Sequence, residues 1–199
     1  FGFPGRATDP AGNTSAATSD FTVTVNTTAP TMSSIVISSA TGIQNNLLNA
    51  GDNVSVTSTF SENVLVTNTP QLTLVVGADN RTATYTSGSG GTTLVFKYTI
   101  QAGETDSNGI SIGANAIALN SGTIKDATGN NATLTHSALT DNASYKVDTT
   151  APTANFSAAT DDVGPVRGAL TSGNTTDDTA LVLSGTNESG SSVKVYNST

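Results

Sequence analysis

The chain of 199 residues is 35% hydrophobic, 5% aromatic and 11% charged, and its 15 acidic and 7 basic side chains give a formal net charge of −8. This charge argues against binding to nucleic acid or anionic membranes, because phosphates are bound by Lys and Arg, and it favours divalent cations as partners. The chain has no cysteine, which excludes a disulfide framework and a thiolate metal site, and no apolar run is long enough to cross a membrane.

The first 29 residues predict the final part of a β-module. A turn signal of the form D-x-x-G-N runs from Asp9 to Asn13, and the run DFTVTV at 20–25 predicts a strand. A module boundary is predicted at V-N-T-T-A-P-T, Val25–Thr31, because proline cannot donate to a β-ladder and imposes an extended connection.

Residues 30–150 alternate between apolar and polar side chains with a period of two. The sets that share one face, apolar except for Ser58, are Val54, Val56, Ser58 and Phe60; Leu72, Leu74 and Val76; Ala83 and Tyr85; and Leu94, Phe96, Tyr98 and Ile100. Strict alternation indicates strands with one buried and one wet face, and clusters of Gly, Asn and Asp indicate the turns between them. The pattern predicts an all-β fold, an immunoglobulin-like antiparallel β-sandwich of seven or more strands.

Two motifs of the first segment return later in the same order. The sequence K-D-A-T-G-N at 125–130 repeats the D-x-x-G-N turn, and V-D-T-T-A-P-T at Val147–Thr153 repeats the boundary. We therefore expect tandem modules: the C-terminal part of one module at 1–29, a complete module at 30–150, and the N-terminal part of another at 151–199. In the last segment, residues 180–185 and 192–197 predict strands.

The two end segments are each too short to close a sandwich, so we expect them to leave open sheet edges. One hypothesis is that the tail of one molecule pairs with the head of the next, since exchange of strands between chains builds fibres. The other is that the segments continue into a longer chain. In either case the expected partners are neighbouring copies or modules of the same protein.

The motifs V-D-T-T-A-P-T and D-x-x-G-N, with the run GDNVSVTSTFSENVLVTNTPQLTLVVG at 51–77, resemble the bacterial immunoglobulin-like (BIg) repeats of large RTX-type, type I-secreted surface adhesins. The run at 161–196 is similar to the first half of a second subtype of these repeats. The resemblance implies an extracellular protein on a bacterial surface, acting in attachment and biofilms, in which tandem sandwiches form a spacer or fibre. A ligand on a cell surface or matrix would be bound by other regions.

The resemblance also implies calcium bound in loops and at module junctions. The matching positions are Asp126, Asn130, Asp148, Asp161, Asp162, Asp9 and Asn13. Asn26 stands at the first junction where the second has Asp148, which removes one negative charge. The doublet at Asp177 and Asp178 is interpreted as solvated loop acids.

The stretch ETDSNGI at 104–110 carries a calcium-loop pattern of its own. Glu104, Asp106 and Asn108 occupy alternate positions before a glycine, as in the front half of D-x-[DN]-x-[DN]-G, and such positions can point at one Ca²⁺. The same residue types also form plain polar turns, in which Asp and Asn bind their own backbone. Taken without the resemblance, the residues leave both interpretations open.

The sequence gives little support for an enzyme. His136 is the single histidine, no cysteine is present, and the acidic residues lie in turn contexts without a tryptophan platform for sugar. The alternative to a spacer is a module that itself contacts glycan, ice or another cell. Tyr85 and Tyr98 fall on core-facing positions, and this favours the spacer.

Overall fold

The computed structural model describes residues 2–165 and 167–196, and the chain divides into two compact units, Phe1–Thr149 and Thr150–Thr199. The described residues form strands, turns and irregular segments without a helix, so none of their segments is a helix that could span a membrane. The strands of the first unit are β1 (Gly2–Phe3), β2 (Phe21–Thr22), β3 (Met32–Thr41), β4 (Leu47–Leu48), β5 (Asn53–Phe60), β6 (Leu65–Thr67), β7 (Gln71–Val76), β8 (Asp79–Ser87), β9 (Thr93–Thr99), β10 (Thr105–Asp106), β11 (Ile117–Ala118), β12 (Thr123–Lys125) and β13 (Lys146–Asp148). The second unit contains β14 (Ala154–Asp161), β15 (Gly168–Leu170) and β16 (Val182–Asn187).

A six-stranded antiparallel sheet of order β11-β7-β8-β9-β5-β3 forms one layer of the first unit. Its strands are rich in Val and Thr, whose branched side chains suit a pleated surface. Gly77 begins the turn between β7 and β8 with φ at 61°, and a Cβ there would lie 2.4 Å from the Thr105 carbonyl oxygen. That position therefore requires glycine.

The second layer consists of short pairings, β10-β13-β4 and β12-β6. Leu48, Ile124 and Val147 from these strands are buried in the same core cluster as Val56 and Phe96 of the large sheet. Two layers that bury one shared core make a sandwich. The predicted all-β, immunoglobulin-like antiparallel β-sandwich is confirmed.

The core contains the alternating side chains that the sequence indicated. The predicted inward sets on β5, β7 and β9 and the following Ile100 are buried, Ala83 is buried on β8, and Tyr85 packs against the core with its ring 6.1 Å from that of Phe96. Ser58 is also fully buried, and its Oγ has no hydrogen-bond partner in the described part of the chain. A buried hydroxyl without a partner costs free energy on folding.

Residues 2–22 form a long hairpin whose ends pair through β1 and β2. The side chains of residues 4–28 are all exposed, including Phe21 at 70% and Val25 at 63%. The strand predicted at 20–25 is limited to Phe21–Thr22.

The second unit is a three-stranded antiparallel sheet of order β15-β14-β16. The strand predicted at 180–185 is found at 182–187, whereas residues 192–196 form no strand and position 197 lies outside the described residues. Leu170 and Leu181 of this unit are half-buried. Most of its other large apolar side chains are exposed, among them Phe156, Val182, Leu183, Val193, Val195 and Tyr196.

Replacing Ser58 by Ala should raise the free energy of unfolding of the sandwich by about 1 kcal/mol, because it removes a buried hydroxyl without a partner. Urea unfolding of the two proteins measures the change. Ser55→Ala, three positions earlier on the same strand and on its outward face, is the matched control and should change stability by less than about 0.5 kcal/mol. A destabilised Ser58→Ala protein would mean that the hydroxyl has a partner in solution.

Candidate metal sites

The ETDSNGI stretch lies at the edge of the second layer, where β10 pairs with β13. Glu104 and Asp106 point inward and are 6% and 3% exposed, while Asn108 is exposed. The chain then turns at Gly109 with φ at 106°, where a Cβ would lie 2.0 Å from the Asn142 carbonyl oxygen. Only glycine allows the backbone to approach so closely.

Glu104 belongs to a buried hydrogen-bond network. Its Oε1 accepts from Arg81 Nε and from the Tyr98 hydroxyl, and its Oε2 accepts from the Gln101 amide at 2.9 Å. Arg81 also pairs with Asp79 at 2.9 Å. Since a guanidinium already neutralises this carboxylate, Glu104 fits poorly as a calcium ligand.

Tyr98 is held in its neutral form by the same network. Burial of the ring, and then the hydrogen bond and charge of Glu104, raise the pKa of Tyr98 to about 12. The sequence did not predict that Arg81 and Tyr98 contact Glu104, because they lie 23 and 6 positions away, on β8 and β9. The pairing depends on tertiary contact.

Asp106 closes the turn at which it stands, accepting hydrogen bonds from the Gly77 amide at 2.8 Å and the Gly109 amide at 2.7 Å. Asn108 instead donates to Asp141. Glu104, Asp106 and Asn108 thus each have different protein partners. Calcium at this loop stays a prediction, and Glu104 is its least suitable ligand.

The fold brings Asp148 to the same loop, because β13 pairs Thr105 with Asp148. Asp106, Asn108 and Asp148 line one cleft of about 450 Å³, together with Lys146. Carboxylate and amide oxygens suit Ca²⁺, whereas the lysine ammonium would repel it. The sequence placed Asp148 only at the module boundary and gave no signal that it lies beside the loop.

Asp126 is the centre of the second D-x-x-G-N turn and is 4% exposed. Its Oδ1 accepts from the amides of Thr128 and Asn130 at 2.9 and 2.8 Å. Its Oδ2 accepts from Thr128 Oγ1 at 2.8 Å and Asn130 Nδ2 at 2.7 Å. Burial raises the pKa of Asp126, but hydrogen bonds from Asn130 and Thr128 outweigh it and set the pKa at about 2.

The first D-x-x-G-N turn has the same geometry. The amides of Ala11 and Asn13 donate to Asp9 Oδ1 at 3.0 and 2.8 Å, and Asn13 Nδ2 donates to Oδ2 at 3.0 Å. These bonds, that of the Asn13 side chain first, lower the pKa of Asp9. Gly12 and Gly129 have φ of 87° and 100°, so each turn needs its glycine.

The second turn holds the segment that precedes the sandwich. Asn130 Nδ2 donates one hydrogen to Asp126 Oδ2, and the carbonyl oxygens of Asn26 and Thr28, both at 3.2 Å, share its other hydrogen. Asn26 Nδ2 donates to Asp126 Oδ2 at 3.1 Å. We call the bonds that join Asn26 and Thr28 to this turn the linker clasp. The amide group of Asn26 therefore takes the place beside Asp126 where a cation would otherwise meet the carboxylate.

In the second unit, Asp161 and Asp178 are 4% and 8% exposed. Asp161 accepts from the Val163 amide at 3.0 Å and from Thr176 Oγ1 at 2.7 Å, and Asp178 accepts from the Ala180 amide at 2.7 Å. The Asp162 side chain is exposed, although its amide lies 3.4 Å from Asp178 Oδ2. The interpretation of Asp178 as a solvated acid is wrong, because the turn at 176–180 folds it inward.

Asp161 also lines a cleft of about 370 Å³ with Thr176 and Asp177. Asp161 and Asp178 accept hydrogen bonds from neutral hydroxyl and amide groups. No cationic donor of these bonds neutralises the two carboxylates, so their negative charge would attract a metal ion. Among residues 2–165 and 167–196, no three His, Cys, Asp or Glu side chains converge on one point. Any calcium site there would need amide, carbonyl or water oxygens to complete its shell.

His136 serves the structure of its loop. Its Nε2 accepts from the Ala116 amide at 2.8 Å, and its Nδ1 lies 2.8 Å from the Ser137 carbonyl oxygen.

Comparison of the chain with protein-family models, with curated proteins and with solved structures gives no significant match. The functional conclusion therefore depends on the geometry of these turns and of the two units.

Acid should weaken the sandwich through Asp126. A carboxylate whose pKa is lowered on folding stabilises the fold above its ordinary value of 3.8, and that contribution is lost as the pH falls to about 2. The melting temperature of the wild-type protein should exceed that of Asp126→Asn at pH 6, and the two should converge between pH 4 and 2. Asp9→Asn, in the exposed first turn, is the control and should leave the melting of the sandwich unchanged. A constant difference from pH 6 to 2 would contradict the role of the carboxylate.

Proposed function

We propose that this chain is a structural spacer or fibre unit of an extracellular bacterial surface adhesin, in which calcium rigidifies tandem immunoglobulin-like modules. The observation that supports it best is the linker clasp, through which the side chains of Asn26 and Asn130 hold the segment before the sandwich. A spacer must resist bending, and a short linker of Thr, Ala and Pro resists it better when it is fixed to the module that follows.

The recurrence of both halves of the clasp supports a repeating role. In both turns, at 9–13 and 126–130, two backbone amides and the asparagine side chain donate to the aspartate, although only the second turn adds a hydroxyl, that of Thr128. The V-x-T-T-A-P segment occurs at both boundaries. A unit that joins to its neighbour through the same two motifs at each step can be stacked many times. Its partners would be further copies or modules of the same protein.

The proposed calcium would act as a structural staple. The acidic net charge, the Asp161 and Asp178 turn, and the cleft of Asp106 and Asp148 support it. Extracellular calcium modules have dissociation constants of roughly 10⁻⁴–10⁻³ M, and free calcium at about 100 times that constant adds about 2.7 kcal/mol of stability per site. The chain would then be stiff outside the cell, where calcium is abundant.

One observation favours the alternative, a module that itself binds glycan, ice or another cell. The second unit exposes Phe156 and Tyr196 beside a cleft of about 490 Å³. A concave surface with aromatic side chains suits such ligands. A direct ligand should perturb the fluorescence of these side chains at concentrations that leave the first unit unaffected.

The clasp predicts how Asn130→Ala changes the motion of the first 26 residues. Because the chain has no natural cysteine, spin labels can be attached through Ala16→Cys and Thr93→Cys, both at exposed positions. Pulsed distance measurement should give a narrow distribution in the parent protein and a clearly broader one after Asn130→Ala. Asn13→Ala removes the same side chain from the other turn and should leave the width unchanged. Equal widths in all three proteins would remove the basis of the spacer proposal.

Calcium at millimolar concentration should raise the melting temperature relative to excess chelator. Asp161→Asn should reduce the rise in the second unit and Asp106→Asn the rise in the first, because each removes one carboxylate ligand. Glu188→Gln, which removes an equal charge from an exposed loop, should keep the full rise. Identical melting temperatures in calcium and chelator would refute a structural role for calcium. An unchanged rise in both Asp variants would mean that calcium binds at other residues.

A further inference from the structure

The end of the first segment repeats a strand that is buried in the sandwich. Val25 corresponds to Val147 in the V-x-T-T-A-P motif. Val147 is 2% exposed and pairs in parallel with Leu48 of β4, whereas Val25 is 63% exposed. Val25 therefore occupies the motif position of a buried core residue, but its own side chain is exposed.

The second unit repeats the strands against which Val147 packs. β14 begins two residues after Pro152, as β3 does after Pro30, and it pairs with β16 as β3 pairs with β5. Counted from the same prolines, Leu170 of β15 falls at the position of Leu48. β15 lies at the edge of its sheet, and Leu170 is only half-buried there, whereas Leu48 is fully buried.

The D-x-x-G-N turns give a second and independent correspondence. Asp126 is buried and its turn holds the linker, whereas Asp9, which accepts matching bonds from two amides and from the Asn13 side chain, is exposed. Ala7 likewise is exposed where its counterpart Ile124 is 2% exposed, although each carbonyl accepts from the matching amide eight positions later. The first turn is thus folded like the second, but its outer face is exposed.

We propose that residues 2–26 of one copy complete the Thr150–Thr199 unit of a second copy, in the register that the sandwich itself uses. Residues 24–26 would add a strand parallel to β15, pairing Thr24 with Ala169 and Val25 with Leu170. The turn at Asp9 would clasp the V-D-T-T-A-P linker of the second copy. This inference deepens the proposed fibre function and rests on it.

Charge distinguishes the new junction from the one within the chain. Within the chain, Asn26 donates an amide hydrogen to Asp126. Between copies, Asp148 would stand opposite Asp9, and two carboxylates repel where an amide and a carboxylate attract. Pairing should therefore be weaker than the internal junction and should strengthen when Asp148 is replaced by Asn.

Cysteine cross-linking tests the register directly. One preparation carries Thr24→Cys and the other Ala169→Cys; both side chains are exposed and small, and the chain has no other cysteine. After mixing and mild oxidation, the proposal predicts a disulfide-linked heterodimer, because paired residues of neighbouring strands lie about 5 Å apart, within the Cα separation that a disulfide spans. Thr22→Cys mixed with Ala169→Cys, shifted by two residues, should give much less. Equal yields from both mixtures, or no heterodimer, would overturn the register.

Sedimentation of otherwise native chains tests the association itself. Val25→Asp should abolish the association, because it places a charge at the motif position that is buried in the sandwich as Val147. The neighbouring Thr24→Asp, on the outward face, should preserve the association. Asp148→Asn should tighten it about tenfold, the effect of one hydrogen bond gained in place of a repulsion. A monomer at every concentration would overturn the pairing, and so would association that Val25→Asp leaves unchanged.

These outcomes are separable from those of the spacer proposal. If copies fail to pair but Asn130→Ala still loosens the linker, the pairing is wrong and the spacer stands. If copies pair in this register while the linker is equally mobile with and without Asn130, the pairing stands and the stiff spacer fails.

Discussion

Hydrogen bonds to the Asp126 carboxylate help to fix the linker at the start of the sandwich. One side chain orders its own turn through Thr128 and Asn130, and it also receives the amide of Asn26 from the linker. An amide donor gives a direction and a distance that a hydrated surface charge would not give. The position of the linker relative to the sandwich depends on this carboxylate together with the Asn130 side chain, which donates to the Asn26 and Thr28 carbonyl oxygens.

Other buried carboxylates also accept hydrogen bonds or pair with a cation, each in different surroundings. Glu104 is neutralised by Arg81, Asp106 binds two backbone amides, and Asp161 binds an amide and a hydroxyl. Buried carboxylates are stable only when such donors or cations surround them. The proposed calcium therefore belongs where cationic side chains are not among the donors, as at Asp161, rather than at Glu104.

The sandwich core could be predicted from the sequence because alternation in a strand decides which face is buried. Val54, Phe96 and Leu72 followed that rule. The clasp could not be predicted, since Asn26 and Asp126 lie 100 positions apart and either could form a simple turn. The available signal was the recurrence of D-x-x-G-N and V-x-T-T-A-P in a fixed order, which indicates a repeated junction without giving its contacts.

The most direct test of the clasp is the backbone order parameter of residues 26–28, measured by NMR relaxation on the whole chain. If the clasp holds the linker, these residues should be as rigid as the strands of the sandwich, with values near 0.85, and should become mobile when Asn130 is replaced by Ala. Values below about 0.6 in the parent protein would contradict the account, because the linker would then move independently of the module that follows it.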